Sequence, residues 1–193
     1  MLVIIGPSAC GKTQIVNKLI SDFGYKKLVT YTTRPMRLNE KQGIDYNFIT
    51  EEKFKEKINN SFFIEYVKYN NNYYGTSYSD LSKDKVVIIE AEGLKSYLEK
   101  ARNQITVIFI RCSKPIRRIR MIERLDSEEN IQKRLNSDDI VFNENVQALA
   151  DYVIDSSNSN VYDCAKLVDS LYRKSVNLSL IHISEPTRHS LIS

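Results

Sequence analysis

The sequence predicts an α/β fold: a three-layer sandwich with a parallel sheet between helices, interrupted once by a small mixed sheet. Three observations lead there. A glycine-rich turn, Gly6-Pro7-Ser8-Ala9-Cys10-Gly11-Lys12-Thr13, joins an apolar run, Leu2-Val3-Ile4-Ile5, to a helical pattern carrying Ile15, Val16, Leu19 and Ile20. Further apolar runs at residues 86–89 and 105–110 alternate with helical stretches, as buried parallel strands do. Residues 31–80 break that alternation with short strands, a turn and one helix.

The turn is a P-loop in its required setting, strand then G-x-x-x-x-G-K-[ST] then helix. A phosphate chain carries several negative charges and needs many donors close by. Gly6 and Gly11 let the backbone bend so that successive N–H groups point inward, and the helix that follows adds its positive end. Lys12 is placed to reach the β- and γ-phosphates, and the Thr13 hydroxyl to sit on Mg²⁺. Gly6, Ser8, Ala9, Cys10, Gly11, Lys12 and Thr13 therefore form the candidate ATP site, with Mg²⁺ as cofactor.

After the first helix, residues 27–31 read as a strand and residues 32–37 as a loop broken by Pro35. Residues 46–49 read as a strand, and Thr50 caps a helix with Glu51 and Glu52 in its first turn and Phe54 and Ile58 on its apolar edge. Residues 62–69 and Tyr73-Tyr74 form a ribbon around an Asn70-Asn71-Asn72 turn. The alternating pattern resumes with a strand at 86–89, a helix at 93–101 and a strand at 105–110. Residues 114–125 are a helix with Ile116, Ile119 and Ile122 as its apolar face and Arg117, Arg120 and Arg124 on another; Arg117 and Arg118 read as surface. Helix continues through 128–135 and 136–150, a last strand covers 152–154, and a last helix spans 161–173.

A chain of 193 residues suits one domain with an inserted subdomain. The net charge of +4, from 28 basic and 24 acidic residues, fits a small anionic ligand better than nucleic acid. No apolar stretch approaches a membrane span. Cys10, Cys112 and Cys164 are far apart and lack metal spacing, so reduced thiols in the cytoplasm are expected, and no leader fits before the P-loop. The stretch from Leu178 to Arg188 resembles a translated sequencing adapter, and residues 178–193 are read as a non-native tail. Both histidines, His182 and His189, lie there, which leaves the body without His-based acid–base chemistry.

Four blocks, in order, then name a family: Thr33-Arg34-Pro35-Met36-Arg37, Gly43-Ile44-Asp45-Tyr46-Asn47-Phe48, Phe63-Ile64-Glu65-Tyr66 and Asn72-Tyr73-Tyr74-Gly75-Thr76. With the P-loop they make the chain resemble guanylate kinase, which moves a phosphoryl group from ATP to GMP, over about residues 2–174. The resemblance implies a domain of residues 1–177, with 1–30 and 81–177 as the core, a lid at about 120–136 and a GMP-binding subdomain at 31–80. It implies that Arg34, Arg37, Tyr46 and Tyr74 bind the GMP phosphate, that Glu65 and Thr76 read guanine with help from Thr30, and that Arg120, Arg124 and Arg134 close on the ATP phosphates. The partners it implies are ATP and GMP, not nucleic acid or membrane, for a monomer or homodimer. The chemistry fits: forked guanidinium groups grip phosphate, and a carboxylate accepts both donors of the guanine Watson–Crick edge while repelling adenine.

The sequence departs from the family in two places. Ile88 stands where an acid is usual, which leaves Glu90 as the carboxylate near the reacting phosphates, and the stretch between Arg124 and Arg134 is short. Two other functions share the pattern. One is a peptide-binding module of the same fold that does no chemistry, typically without the P-loop lysine that Lys12 supplies here. The other is a kinase for dGMP or another nucleoside monophosphate.

Overall fold

The computed structural model describes residues 1–69 and 71–183. Its strands are β1 (Leu2–Ile5), β2 (Lys26–Lys27), β3 (Tyr31–Thr32), β4 (Asn47–Phe48), β5 (Phe63–Tyr69), β6 (Asn72–Ser77), β7 (Lys85–Ile88), β8 (Thr106–Arg111) and β9 (Tyr152–Asp155). Its α-helices are α1 (Lys12–Phe23), α2 (Glu51–Asn59), α3 (Ala91–Ala101), α4 (Lys114–Glu123), α5 (Glu128–Val141), α6 (Glu144–Gln147) and α7 (Val161–Ile183).

Five strands form a parallel sheet in the order β2-β7-β1-β8-β9. Strand periodicity divides its side chains between two cores. Leu2 and Ile4 of β1 with Ile108 and Ile110 of β8 pack against Ile15, Val16 and Leu19 of α1 and Ala165 and Val168 of α7. Val3, Ile5, Val107 and Phe109 point the other way, against Leu94, Tyr97 and Ala101 of α3. The sheet thus has helices on both faces, and its central strand is apolar throughout because neither face meets water.

The second sheet has the order β4-β3-β6-β5, with β3 parallel to β4 and antiparallel to β6. The strand expected at 27–31 is in fact two. Lys26 and Lys27 pair with β7 in the large sheet, whereas Tyr31 and Thr32 pair with β4 and β6 in the small one. Leu28 still donates its N–H to Val86 O at 3.0 Å, but Thr30 O already accepts from Asn47 N at 2.8 Å. The chain changes sheets across that short stretch. Helix α2 begins where expected, with Thr50 Oγ1 accepting from Lys53 N at 3.3 Å. It covers one face of the small sheet through Phe54, stacked on Phe63 at 4.4 Å and on Tyr73 at 5.3 Å. Of the predicted turn, Asn70 lies outside the described residues, and Asn71 takes φ 61°.

Three helical expectations change. Helix α4 does not bury Ile119 and Ile122, which are exposed; it buries Arg117 and Met121 instead. The helix expected through 136–150 breaks at Phe142 and Asn143, where Asn143 Oδ1 accepts from Val146 N at 3.2 Å and starts α6. Helix α7 continues past 173 to Ile183, into the stretch expected to be a tail. The remainder of that stretch, residues 184–193 with His189, lies outside the described residues.

Candidate active site

The P-loop leaves the C-terminal end of β1, where ligands of parallel sheets collect. Gly6 has φ 143°, and a Cβ there would stand 2.2 Å from Ile110 O, so neither the backbone nor the neighbouring strand tolerates a side chain. Gly11 caps α1 at φ 93°. Ser8 and Ala9 are half-buried at the rim, and Cys10 is buried behind the loop, where burial pushes its thiol up despite the nearby Lys12 ammonium. Its carbonyl accepts from Ser156 Oγ at 2.8 Å. Thr13 stands exposed at the mouth. Lys12 folds back over the loop, its Nζ donating to Gly6 O at 2.6 Å and Pro7 O at 2.8 Å. These are carbonyl partners without a countercharge, which leaves the ammonium available to a phosphate. A cleft of about 700 Å³ opens beside Lys12 and Thr13, lined also by Arg120, Arg124 and Asn160.

The predicted lid arginines occupy two settings. Arg120 lies on the loop itself, donating to Ala9 O at 3.3 Å and to Ser156 O at 2.8 Å. Arg124 and Arg134 are exposed and share one carboxylate, Asp126, at 2.5 Å and 3.8 Å; of the two, Arg124 lines the cleft. Leu125, with φ 62°, turns the chain between α4 and α5. The roots of these helices pack together through Met121, Ile131 and Leu135, with Ala9 of the P-loop against them.

Arg117 corrects its reading as a surface residue. It is 4% exposed, with its guanidinium 3.1 Å from Asp138 Oδ2 and 2.8 Å from Asp139 Oδ1. Asp138 in turn accepts from Ser8 N at 2.9 Å and Ser8 Oγ at 3.3 Å. A buried ion pair thereby ties the rim of the P-loop to α4 and α5. Arg118 stays at the surface, paired with Glu128.

The second group of candidates assembles on the small sheet. Arg34 donates to Glu40 Oε1 at 2.7 Å and lies 5.4 Å from the centre of the Tyr46 ring. The Tyr46 and Tyr74 rings are 6.1 Å apart, and the Tyr74 hydroxyl neighbours the Arg34 guanidinium. Arg37 is exposed on the same loop, which its N–H closes onto Glu40 Oε2 at 2.8 Å. Arg34, Tyr46 and Tyr74 therefore meet, with Arg37 at the rim. Tyr74 and Thr76 are two apart on β6, so both face away from the α2-covered side where Tyr73 stacks. Thr76 pairs in register with Glu65 of β5, and its hydroxyl donates to Glu65 Oε1 at 3.2 Å. Burial raises the Glu65 carboxyl above its ordinary value, against the opposing pull of that hydrogen bond and of Lys100.

Thr30 is half-buried at the crossing between the sheets. Ile88, at the end of β7, packs against the α1 side of the core. Glu90 is the exposed residue that precedes α3, at the C-terminal edge of the sheet. Sequence reasoning missed Glu40, Asp138 and Ser156. Nothing local marks them, because each works through a partner far along the chain or through a loop closed on itself.

The family model for guanylate kinase matches residues 1–174. Among curated relatives, the guanylate kinase of Legionella pneumophila (strain Paris) is 35% identical over 138 residues, which is 68% of this chain and 66% of that protein, just under two thirds of its length. The guanylate kinase of Sulfurimonas denitrificans is 31% identical over 179 residues, covering 86% of this chain and 83% of that one. That of Helicobacter hepaticus is 30% identical over 195 residues, covering 90% and 97%. Among solved structures, guanylate kinase from Anaplasma phagocytophilum superposes with a TM-score of 0.62 at 25% identity, covering 91% of this chain and 85% of that one. Shikimate kinase from Acinetobacter baumannii, at 11% identity and a TM-score of 0.52 over 90% and 93%, shares the fold. With a P-loop at one sheet and an arginine–tyrosine cluster beside a carboxylate at the other, the chain belongs to the guanylate kinase family, ATP-dependent kinases of nucleoside monophosphates.

Proposed function

We propose that this chain transfers a phosphoryl group from ATP to GMP, giving ADP and GDP. The observation that carries the reading is the placement of Tyr74 and Thr76 on one face of β6. Tyr74 stands with Arg34 and Tyr46, and Thr76 with the half-buried Glu65. A phosphate grip and a base reader two residues apart lie about 7 Å apart along a strand, so one nucleoside monophosphate spans both.

In this reading Arg34 and Arg37 hold the GMP phosphate with the Tyr46 and Tyr74 hydroxyls, and Thr30 assists at the base. The Glu65 carboxylate accepts from both donors of guanine. ATP lies along Gly6, Ser8, Ala9, Cys10, Gly11, Lys12 and Thr13. Mg²⁺ generally keeps few protein ligands and binds through substrate phosphates, and the exposed Thr13 hydroxyl at the start of α1 fits that role; when bound, the ion neutralises phosphate charge. Lys12 leaves its two carbonyl partners for the phosphates, Arg120 acts from its seat on Ala9, and Arg124 and Arg134 exchange Asp126 for phosphate as the lid closes. Glu90 orders the polar groups at the sheet edge. No covalent intermediate on the chain is required, because positioning and charge neutralisation supply the catalysis. Closure of the 31–80 subdomain and the 120–136 lid over the 1–177 domain would keep water from the reacting phosphate. Three free thiols support a cytoplasmic setting.

A coupled ADP-release assay with GMP, dGMP, AMP, UMP and dTMP side by side tests the reading. Turnover led by GMP is expected. Equal rates with AMP would remove Glu65 as base reader, and no turnover with any nucleotide would favour a binding module of the same fold.

A further inference from the structure

Tyr97 lies on α3 with 0% exposure, in the apolar cluster that includes Ile64, Leu94 and Phe109. That packing accounts for the ring but not for the hydroxyl. Among the described residues the hydroxyl is buried without a hydrogen-bond partner, although the Thr76 hydroxyl neighbours it and the Glu65 charge reaches it. One turn on, Lys100 Nζ donates to Ile64 O at 2.7 Å and fixes α3 against the strand that carries Glu65. A buried hydroxyl left unpaired is costlier than the phenyl ring that would fill the same space. Its location therefore points to a role in the base site.

Thr76 has one proton and gives it to Glu65 Oε1, so its oxygen keeps lone pairs to accept with. Tyr97 has one proton, and the Thr76 oxygen is the acceptor beside it. We propose that Tyr97 is a specificity-determining positioning residue. On nucleotide binding its hydroxyl donates to Thr76 Oγ1, which commits the Thr76 proton to Glu65 and holds the carboxylate ionised and oriented toward a base edge with two donors. The inference rests on Glu65 and Thr76 being the base readers. Without the Tyr97 hydroxyl the Thr76 hydroxyl is free to turn, and Glu65 loses the outer link of the chain that favours its anionic form. The loss falls most heavily on a base that donates twice, so the preference for GMP over inosine monophosphate, which lacks the 2-amino group, shrinks.

The test is Tyr97→Phe in the full chain, which removes one oxygen and keeps the ring. Steady-state kinetics with GMP and inosine monophosphate are measured from about pH 5.5 to 8.5, together with a melting curve without nucleotide. The KM for GMP is expected to rise about 3- to 10-fold, the size of one neutral hydrogen bond. Saturated turnover and the KM for ATP should hold within about twofold, and the melting temperature should stay or rise. The acid limb of kcat/KM for GMP should move to higher pH, a shift that titration of the nucleotide cannot cause because it is the same for both proteins. Unchanged GMP KM, base preference and acid limb would overturn the proposal. So would a lower melting temperature with unchanged GMP kinetics, which would mark the hydroxyl as purely structural. A wild-type chain that ignores GMP would overturn the base-reader reading itself, and that result appears in the wild-type arm alone.

Discussion

Replacing Glu65 by Gln changes one charge and almost no volume, and it separates binding from stability. The carboxylate is half-buried, accepts from Thr76 at 3.2 Å, and is raised above its ordinary pKa chiefly by burial. For GMP, the amide keeps one acceptor and presents a donor where guanine also donates. Losing a hydrogen bond to a charged group costs about 1.5–3 kcal/mol, or roughly 10- to 150-fold in affinity. Stability moves the other way. A raised folded-state pKa means that the folded chain binds more protons than the unfolded chain between the two values, so the wild type loses stability as pH rises through that window. Above the folded-state pKa the full penalty is present, and Glu65→Gln removes it. At neutral pH the variant is therefore expected to melt at the same temperature as wild type or higher, with the difference fading in acid. Calorimetric titration with GMP and melting curves across pH measure both effects. A GMP affinity within twofold of wild type would refute the base-reader argument, and a variant less stable at neutral pH than in acid, relative to wild type, would refute the burial argument.

Other expectations follow from the same geometry. Lys12→Ala should cost about 10²-fold or more in kcat with little change in melting without nucleotide, because the Lys12 ammonium meets loop carbonyls, the Cys10 sulfur and the Phe142 ring but no carboxylate; near-normal turnover would remove it from the phosphate site. Asp138→Ala leaves Arg117 buried with Asp139 alone, a change expected to cost about 3–5 kcal/mol, or roughly 6–20 °C. Arg117→Leu with Asp138→Ala should recover the part of that loss due to the unpaired charge but not the part due to the two Ser8 hydrogen bonds, and calorimetry that finds the double variant worse than the single would count against a buried pair. Glu90→Gln should lower saturated kcat much more than Glu92→Gln, because Glu90 stands at the sheet edge before α3 begins; the reverse order in the coupled assay would point to Glu92.

The sequence by itself determined much of this molecule. The P-loop is legible because its backbone geometry leaves few choices of residue: glycine at Gly6, where a Cβ would strike Ile110 O, and glycine again at Gly11. The central strands are legible because a strand covered on both faces must be apolar along its whole length, and the start of α2 because a cap is local chemistry. Arg34, Tyr46, Glu65, Tyr74 and Thr76 were legible only as a joint pattern, since each alone reads as surface or strand filling. Tertiary structure decided the rest. Periodicity marked two candidate faces on α4, but the face that turned inward was the one where Asp138 and Asp139 could pair with Arg117, so an arginine was buried and two isoleucines were left in water. It also decided that residues 27–31 would divide between two sheets, that Asp126 would hold Arg124 and Arg134 together, and that the Tyr97 hydroxyl would arrive beside Thr76. These outcomes share one physical reason: a buried charge or hydroxyl is satisfied by whatever the fold brings near it, and that partner is often too far along the chain to leave a local signal.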